Sequence, residues 1–132
     1  MFTSILSKEE RGKFLELIYK MACCDGEYAE EEQELLDNYK KELMIDTIPE
    51  TDSINGLADY FSIKSNCVKR IVLFEVWGMI LADRNVGKAE REAFDYIKNV
   101  FDLEDCVIEK VVSVANELQK AYDHVYDVIF SD

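Results

Sequence analysis

Phe14-Leu15-Glu16-Leu17-Ile18-Tyr19-Lys20-Met21-Ala22-Cys23-Cys24-Asp25-Gly26 and Val72-Leu73-Phe74-Glu75-Val76-Trp77-Gly78-Met79-Ile80-Leu81-Ala82-Asp83-Arg84 decide the fold. Both are apolar runs that end in a small residue or two and then Asp, and they lie 58 residues apart. At that offset residues 14–43 lie over residues 72–101 without a gap. Seven of the thirty positions are identical: Leu15/Leu73, Met21/Met79, Asp25/Asp83, Glu32/Glu90, Glu34/Glu92, Asp37/Asp95 and Lys40/Lys98. Ordinary composition gives about two. The helix breaks coincide as well, which supports a duplicated helix–turn–helix unit.

Working outward, Ser7-Lys8-Glu9-Glu10 reads as a capping box that opens the first helix, with Ser7 at the N-cap and Glu10 three residues on. Phe14, Leu17, Ile18 and Met21 share one face of that helix. Asp25-Gly26 ends it, since glycine accepts the left-handed position past a helix. A second helix spans about residues 29–43, with Leu35, Leu36, Tyr39 and Leu43 apolar. The stretch 44–66 holds the lone proline, Pro49, and reads as a linker with a short helix near residues 53–61. Residues 68–82 are apolar nearly all round, the mark of a central helix. A helix over about residues 88–101 completes the second unit. The last helix, about residues 103–131, carries Ile108, Val111, Val112, Ala115, Leu118, Tyr122, Val125 and Ile129 on one stripe. The expected fold is therefore all-α, a bundle of about six helices in one domain over residues 1–132. Its parts are a first repeat at about 8–43, the linker, a second repeat at about 68–101 and the terminal helix.

Composition narrows the function classes. Lys plus Arg total 15 against 28 Asp plus Glu, a formal charge of -13. Such a surface repels phosphate backbones, so no nucleic-acid partner is expected. Anionic membranes are disfavoured for the same reason, while cations and basic proteins are attracted. The longest apolar stretch, residues 71–82, is interrupted by Glu75 and is too short to span a bilayer. No basic-then-apolar leader precedes Ser7. Cys23, Cys24, Cys67 and Cys106 form no C-x-x-C pair, and His124 is the only histidine. This excludes a zinc knuckle and suits reduced thiols in the cytoplasm. Those thiols are expected at core or boundary positions. Tyr122, Val125, Tyr126 and Ile129 are expected to pack in the core, although a terminal helix of this pattern also suits docking of a second copy as a homodimer. Glu75, set in the most apolar helix, is expected to pair with Lys or Arg.

The shared turn reads Asp25-Gly26-Glu27-Tyr28-Ala29-Glu30-Glu31-Glu32 in the first unit and Asp83-Arg84-Asn85-Val86-Gly87-Lys88-Ala89-Glu90 in the second. Neither is an EF-hand. From Asp25 the glycine falls at position 2; from Asp83 it falls at position 5, with Phe94 at position 12. The residues do resemble the TerB-like family of tellurite-resistance B domains. The hallmark there is a small-residue helix end, Asp-Gly, a hydrophobic residue, and Glu seven after the Asp. Ala22, Cys24, Asp25, Gly26, Tyr28 and Glu32 match it, and so do Ala82, Asp83, Val86 and Glu90, with Arg84 in place of the glycine. The resemblance covers roughly residues 8–131. It implies an all-helical duplicated domain, non-enzymatic, cytoplasmic and stress-associated, with a divalent-cation site at Asp25, Glu32, Asp83 and Glu90.

Oxygen ligands of that kind suit hard cations such as Mg, Ca or Mn. The same acids also have a structural reading. An Asp before a helix accepts free backbone N–H groups, and a first-turn Glu opposes the helix dipole. On that reading the chain is a protein–protein interaction domain with an unidentified partner. The acidic run Glu27, Glu30, Glu31, Glu32, Glu34 and Asp37 reads as a solvated helix face.

Overall fold

The computed structural model describes residues 2–23, 30–82 and 87–131, the side chains of residues 30–32 and 82 excepted. The expected all-α bundle is what forms. A 3-10 turn, Thr3–Ile5, precedes six α-helices: α1 (Lys8–Cys23), α2 (Glu30–Leu43), α3 (Ile54–Ser62), α4 (Asn66–Ala82), α5 (Lys88–Phe101) and α6 (Asp105–Phe130). No described helix is long and apolar enough to cross a membrane.

Local chemistry sets the boundaries. The Ser7 amide donates to Glu10 Oε1 at 2.8 Å and the Glu10 amide donates to Ser7 Oγ at 3.2 Å, the reciprocal capping box. Ser53 caps α3 by accepting from the Gly56 amide at 3.1 Å. Ser65 does the same for Val68 at 3.2 Å, so α4 starts at Asn66, two residues before the expected Val68. Asp102 ends α5 in the left-handed conformation, φ 50°. Lys69 Nζ donates to the Phe101 carbonyl at 2.8 Å, a cation placed on the negative end of the α5 dipole.

α1 and α4 form the centre. α1 packs on α2, α3, α4 and α5, α3 lies along α5, and α6 makes its main contact with α4. Phe14, Leu17, Ile18 and Met21 are buried, as their spacing requires. Leu36, Tyr39 and Leu43 of α2 are buried with them, Leu35 less completely. α4 contributes Ile71, Val72, Leu73, Val76, Met79 and Ile80. Phe14, Phe61 and Phe101 are among the largest fully enclosed side chains. Each is worth about 1.5–3 kcal/mol in apolar burial.

The linker is held by a carboxylate. Glu16, on the buried face of α1, accepts from the Thr51 amide, the Thr51 hydroxyl and the Asp52 amide, each at 2.8 Å, with Lys20 Nζ at 3.4 Å. These bonds fix the approach to α3 against α1.

Candidate functional site

Of the four residues proposed as cation ligands, Asp25 and Asp83 lie outside the described residues. Glu32 sits in the first turn of α2, with its side chain likewise outside the description. Glu90 is described. It is fully buried at the third position of α5, where a carboxylate opposes the positive end of the helix dipole. Among the described residues no three His, Cys, Asp or Glu side chains gather in a metal-sized group. Glu34 and Asp37 of the acidic run are exposed, as a solvated face requires.

Two expectations need correction. Tyr122, Val125, Tyr126 and Ile129 do not pack into the core. With Val128 and Phe130 they stand 53–68% exposed. Cys67 and Cys106 are also exposed, rather than at core or boundary positions, while Cys23 is half-buried.

The exposure of the α6 end follows from length. At about 1.5 Å per residue, the 17 residues of α4 and the 26 of α6 differ by roughly 14 Å of helix. Along the shared length α6 is anchored. Ala115 is buried, Ile108, Val111 and Val112 pack against the core, and Trp77 Nε1 donates to Asn116 Oδ1 at 2.9 Å. Past that anchor the stripe continues with apolar side chains open to solvent. Tyr126 and Phe130 meet only one turn apart on the same helix, rings 4.6 Å between centroids.

Beside this overhang lies a cleft of about 530 Å³ between α2, α4 and α6. Leu35, Phe74, Leu118 and Tyr122 form apolar walls, and Glu42 and Glu75 supply carboxylates. Glu75 is nearly buried. Glu75 accepts from the Tyr39 hydroxyl at Oε2 and from the Phe2 amide at Oε1, the latter at 3.4 Å. Burial, and then the Glu75 charge, push the Tyr39 phenol far above its ordinary range, so it stays a donor. Glu42 Oε1 accepts from Thr3 Oγ1 at 2.7 Å. The two carboxylates thereby tie the N-terminal 3-10 turn to α2 and α4.

A second groove of about 520 Å³ opens on the other side of Phe74 and Leu118, with Phe2, Ile5, Ile71 and Val114 along it. Phe74 and Leu118 line both hollows, and Tyr122 joins the cleft to the overhang. One apolar surface therefore runs from the 3-10 turn across α4 to the end of α6, with acids at the α2 edge. Such a surface can bind an apolar side of a partner by desolvation and can select charge at its rim. Contiguous exposed apolar area of this kind marks interaction sites.

Compared with family models, with curated proteins and with solved structures, the chain matches none.

Proposed function

We propose that the chain is a non-enzymatic protein-interaction module, TerB-like in architecture, whose docking element is the overhanging half of α6. The observation that carries the reading is the run Tyr122, Val125, Tyr126, Val128, Ile129 and Phe130, more than half exposed on a helix whose first half is anchored. An ordinary soluble surface scatters such residues singly. The exposed Cys67 and Cys106 thiols accord with a reducing, cytoplasmic setting.

The duplicated architecture has support in the helix limits. α4 and α5 begin 58 residues after α1 and α2, and α5 ends 58 residues after α2. Paired positions also share burial: Leu15 with Leu73, Ile18 with Val76, Met21 with Met79, Leu36 with Phe94, Tyr39 with Ile97, and Leu43 with Phe101.

The test pairs wild type with Tyr122→Ser/Ile129→Ser. The reading expects an unchanged melting temperature and loss of association, measured by sedimentation for self-association and by co-purification for a partner. A collapse in melting temperature, or association untouched by the substitutions, overturns it.

A divalent-cation role is the second reading, favoured by Glu90, a carboxylate fully buried in the first turn of α5. Metal-free protein is melted with Mg²⁺, Ca²⁺ and Mn²⁺ beside Asp25→Asn/Asp83→Asn. A cation at about 100 times its Kd raises stability by roughly 2.7 kcal/mol. A gain in wild type that the variant lacks supports the site; no gain, or equal gains, removes it.

A further inference from the structure

The chain carries both halves of a contact. One is the apolar tip of α6 past the Trp77–Asn116 bond, and the other is the apolar groove beside it at Phe74, Val114 and Leu118. Along α6, Ala115, Leu118, Tyr122, Val125 and Ile129 follow one another in steps of three and four residues. That spacing keeps one edge of a helix facing a second helix. α4 fills that place as far as buried Ala115; Leu118 is half-buried, and beyond it the seam is open. A helix is thus the shape that continues the packing.

The charges of this half of α6 stand off the seam. At 3.6 residues per turn, the positions that flank it are Gln119, Ala121, Tyr126 and Val128, all uncharged. Glu117, Lys120, Asp123, His124 and Asp127 fall on the rest of the helix. Like charges set opposite each other across an interface are what keep an acidic chain from its own copy. Here a chain of net charge -13 meets its copy through uncharged positions.

An isologous contact needs only one such patch, because the same residues serve on both sides. The area is adequate. Aromatic side chains bury about 150–250 Å² each, and Tyr122, Tyr126 and Phe130 are more than half exposed beside Val125, Val128 and Ile129. Together they approach the roughly 800 Å² per partner of a standard interface.

The spacing also fixes a direction. A parallel pair would join the tips alone, since α4 already covers the earlier part of each seam. An antiparallel pair with its twofold axis between residues 123 and 124 sets Tyr122 against Val125 and Leu118 against Ile129, twice each, a large side chain facing a smaller one at the centre. The tip of each copy then comes level with Leu118 of the other, where the Phe74 groove opens. Resting on the interaction reading above, we propose that the overhang of α6 pairs antiparallel with the overhang of a second copy, so that the chain is a twofold homodimer closed through Leu118, Tyr122, Val125 and Ile129.

Sedimentation equilibrium of the full chain tests this. The wild type is a dimer at micromolar concentration. Tyr122→Asp and Val125→Lys, both at exposed positions, each keep the wild-type circular dichroism and each weaken self-association at least about tenfold, because a lone charge enters the seam. Mixed in equal amounts, the two variants recover the dimer. The antiparallel register sets the introduced carboxylate against the introduced ammonium and leaves the other central layer, Val125 against Tyr122, as in the wild type. A dimer that neither variant weakens, or that mixing does not recover, overturns the inference. A monomeric wild type that retains another protein, lost in Tyr122→Ser/Ile129→Ser, gives the face to that partner and overturns this inference while the interaction reading stands. A monomer without any α6-dependent association overturns both.

Discussion

The carboxylate of Glu16 takes both the amide and the hydroxyl of Thr51, each at 2.8 Å, across 35 residues of sequence. The Asp52 amide adds a third bond at 2.8 Å, and Lys20 lies alongside. Burial by itself would raise the Glu16 carboxyl. The bonds from Asp52 and Thr51, with Lys20, outweigh it and hold the group below its ordinary value. A single side chain on the core face of α1 thus organises the whole approach to α3.

Replacing it should therefore cost more than a surface change. Glu16→Gln sets an amide N–H against backbone N–H groups and removes the charge that strengthens all three bonds. We expect a loss of roughly 2–3 kcal/mol, measured by urea unfolding. The pH dependence has a definite sign. A lowered carboxyl contributes stability that is fully present above its unfolded value, near 4.5, and that fades as pH falls below it toward the folded value. The acid limb of the stability curve should be shallower in Glu16→Gln than in wild type.

Tyr60 gives the opposite limb. Its phenol is pushed up to about 12 by burial and by the bond it donates to Glu9 Oε1 at 3.0 Å. Neutral Tyr60 is favoured in the fold, so stability is undiminished below the unfolded value of 10.0 and declines as pH rises from there toward about 12. Ultraviolet difference titration should show Tyr60 among several tyrosines that ionise late, Tyr39 latest of them, and Tyr60→Phe should remove one late step and reduce the alkaline loss.

The capping box tests the first helix. Ser7→Ala removes the acceptor for the Glu10 amide, and it should lower stability by about 1 kcal/mol. Ser7→Thr retains the hydroxyl and should recover most of it. Matched losses in both variants would show that the cap contributes little.

Asn116→Ala tests the anchor of α6. It removes the acceptor of the Trp77 indole N–H, and should cost about 1–2 kcal/mol. A shift of Trp77 fluorescence should accompany it, because the indole is left half-buried without that acceptor.

Much of this architecture is local, and local features are readable in one dimension. Ser7 and Glu10 announce a helix start because both partners lie within three residues. The buried faces of α1 and α4 follow from spacing alone. Glu16 was illegible for the converse reason. Its partners are 35 and 36 residues away, and a charged residue among apolar ones gives no hint of them. The α6 stripe misled differently. Ile108 and Ile129 belong to the same periodic pattern, yet one packs on the core and the other faces solvent. The pattern records that a face is apolar; where α4 ceases to cover it depends on the relative lengths of two helices. The acidic motif is carried through Glu90, buried where the helix dipole welcomes it, while Asp25 and Asp83 lie outside the described residues.

The central claim is that the overhang of α6 docks a protein. The most direct measurement is photo-crosslinking in cells, with a benzophenone amino acid at position 125 or 129 on α6 and, for comparison, at position 92 on α5. The account predicts one dominant protein adduct from positions 125 and 129 and none from position 92. No adduct from the α6 positions, or the same diffuse adducts from all three, would contradict it.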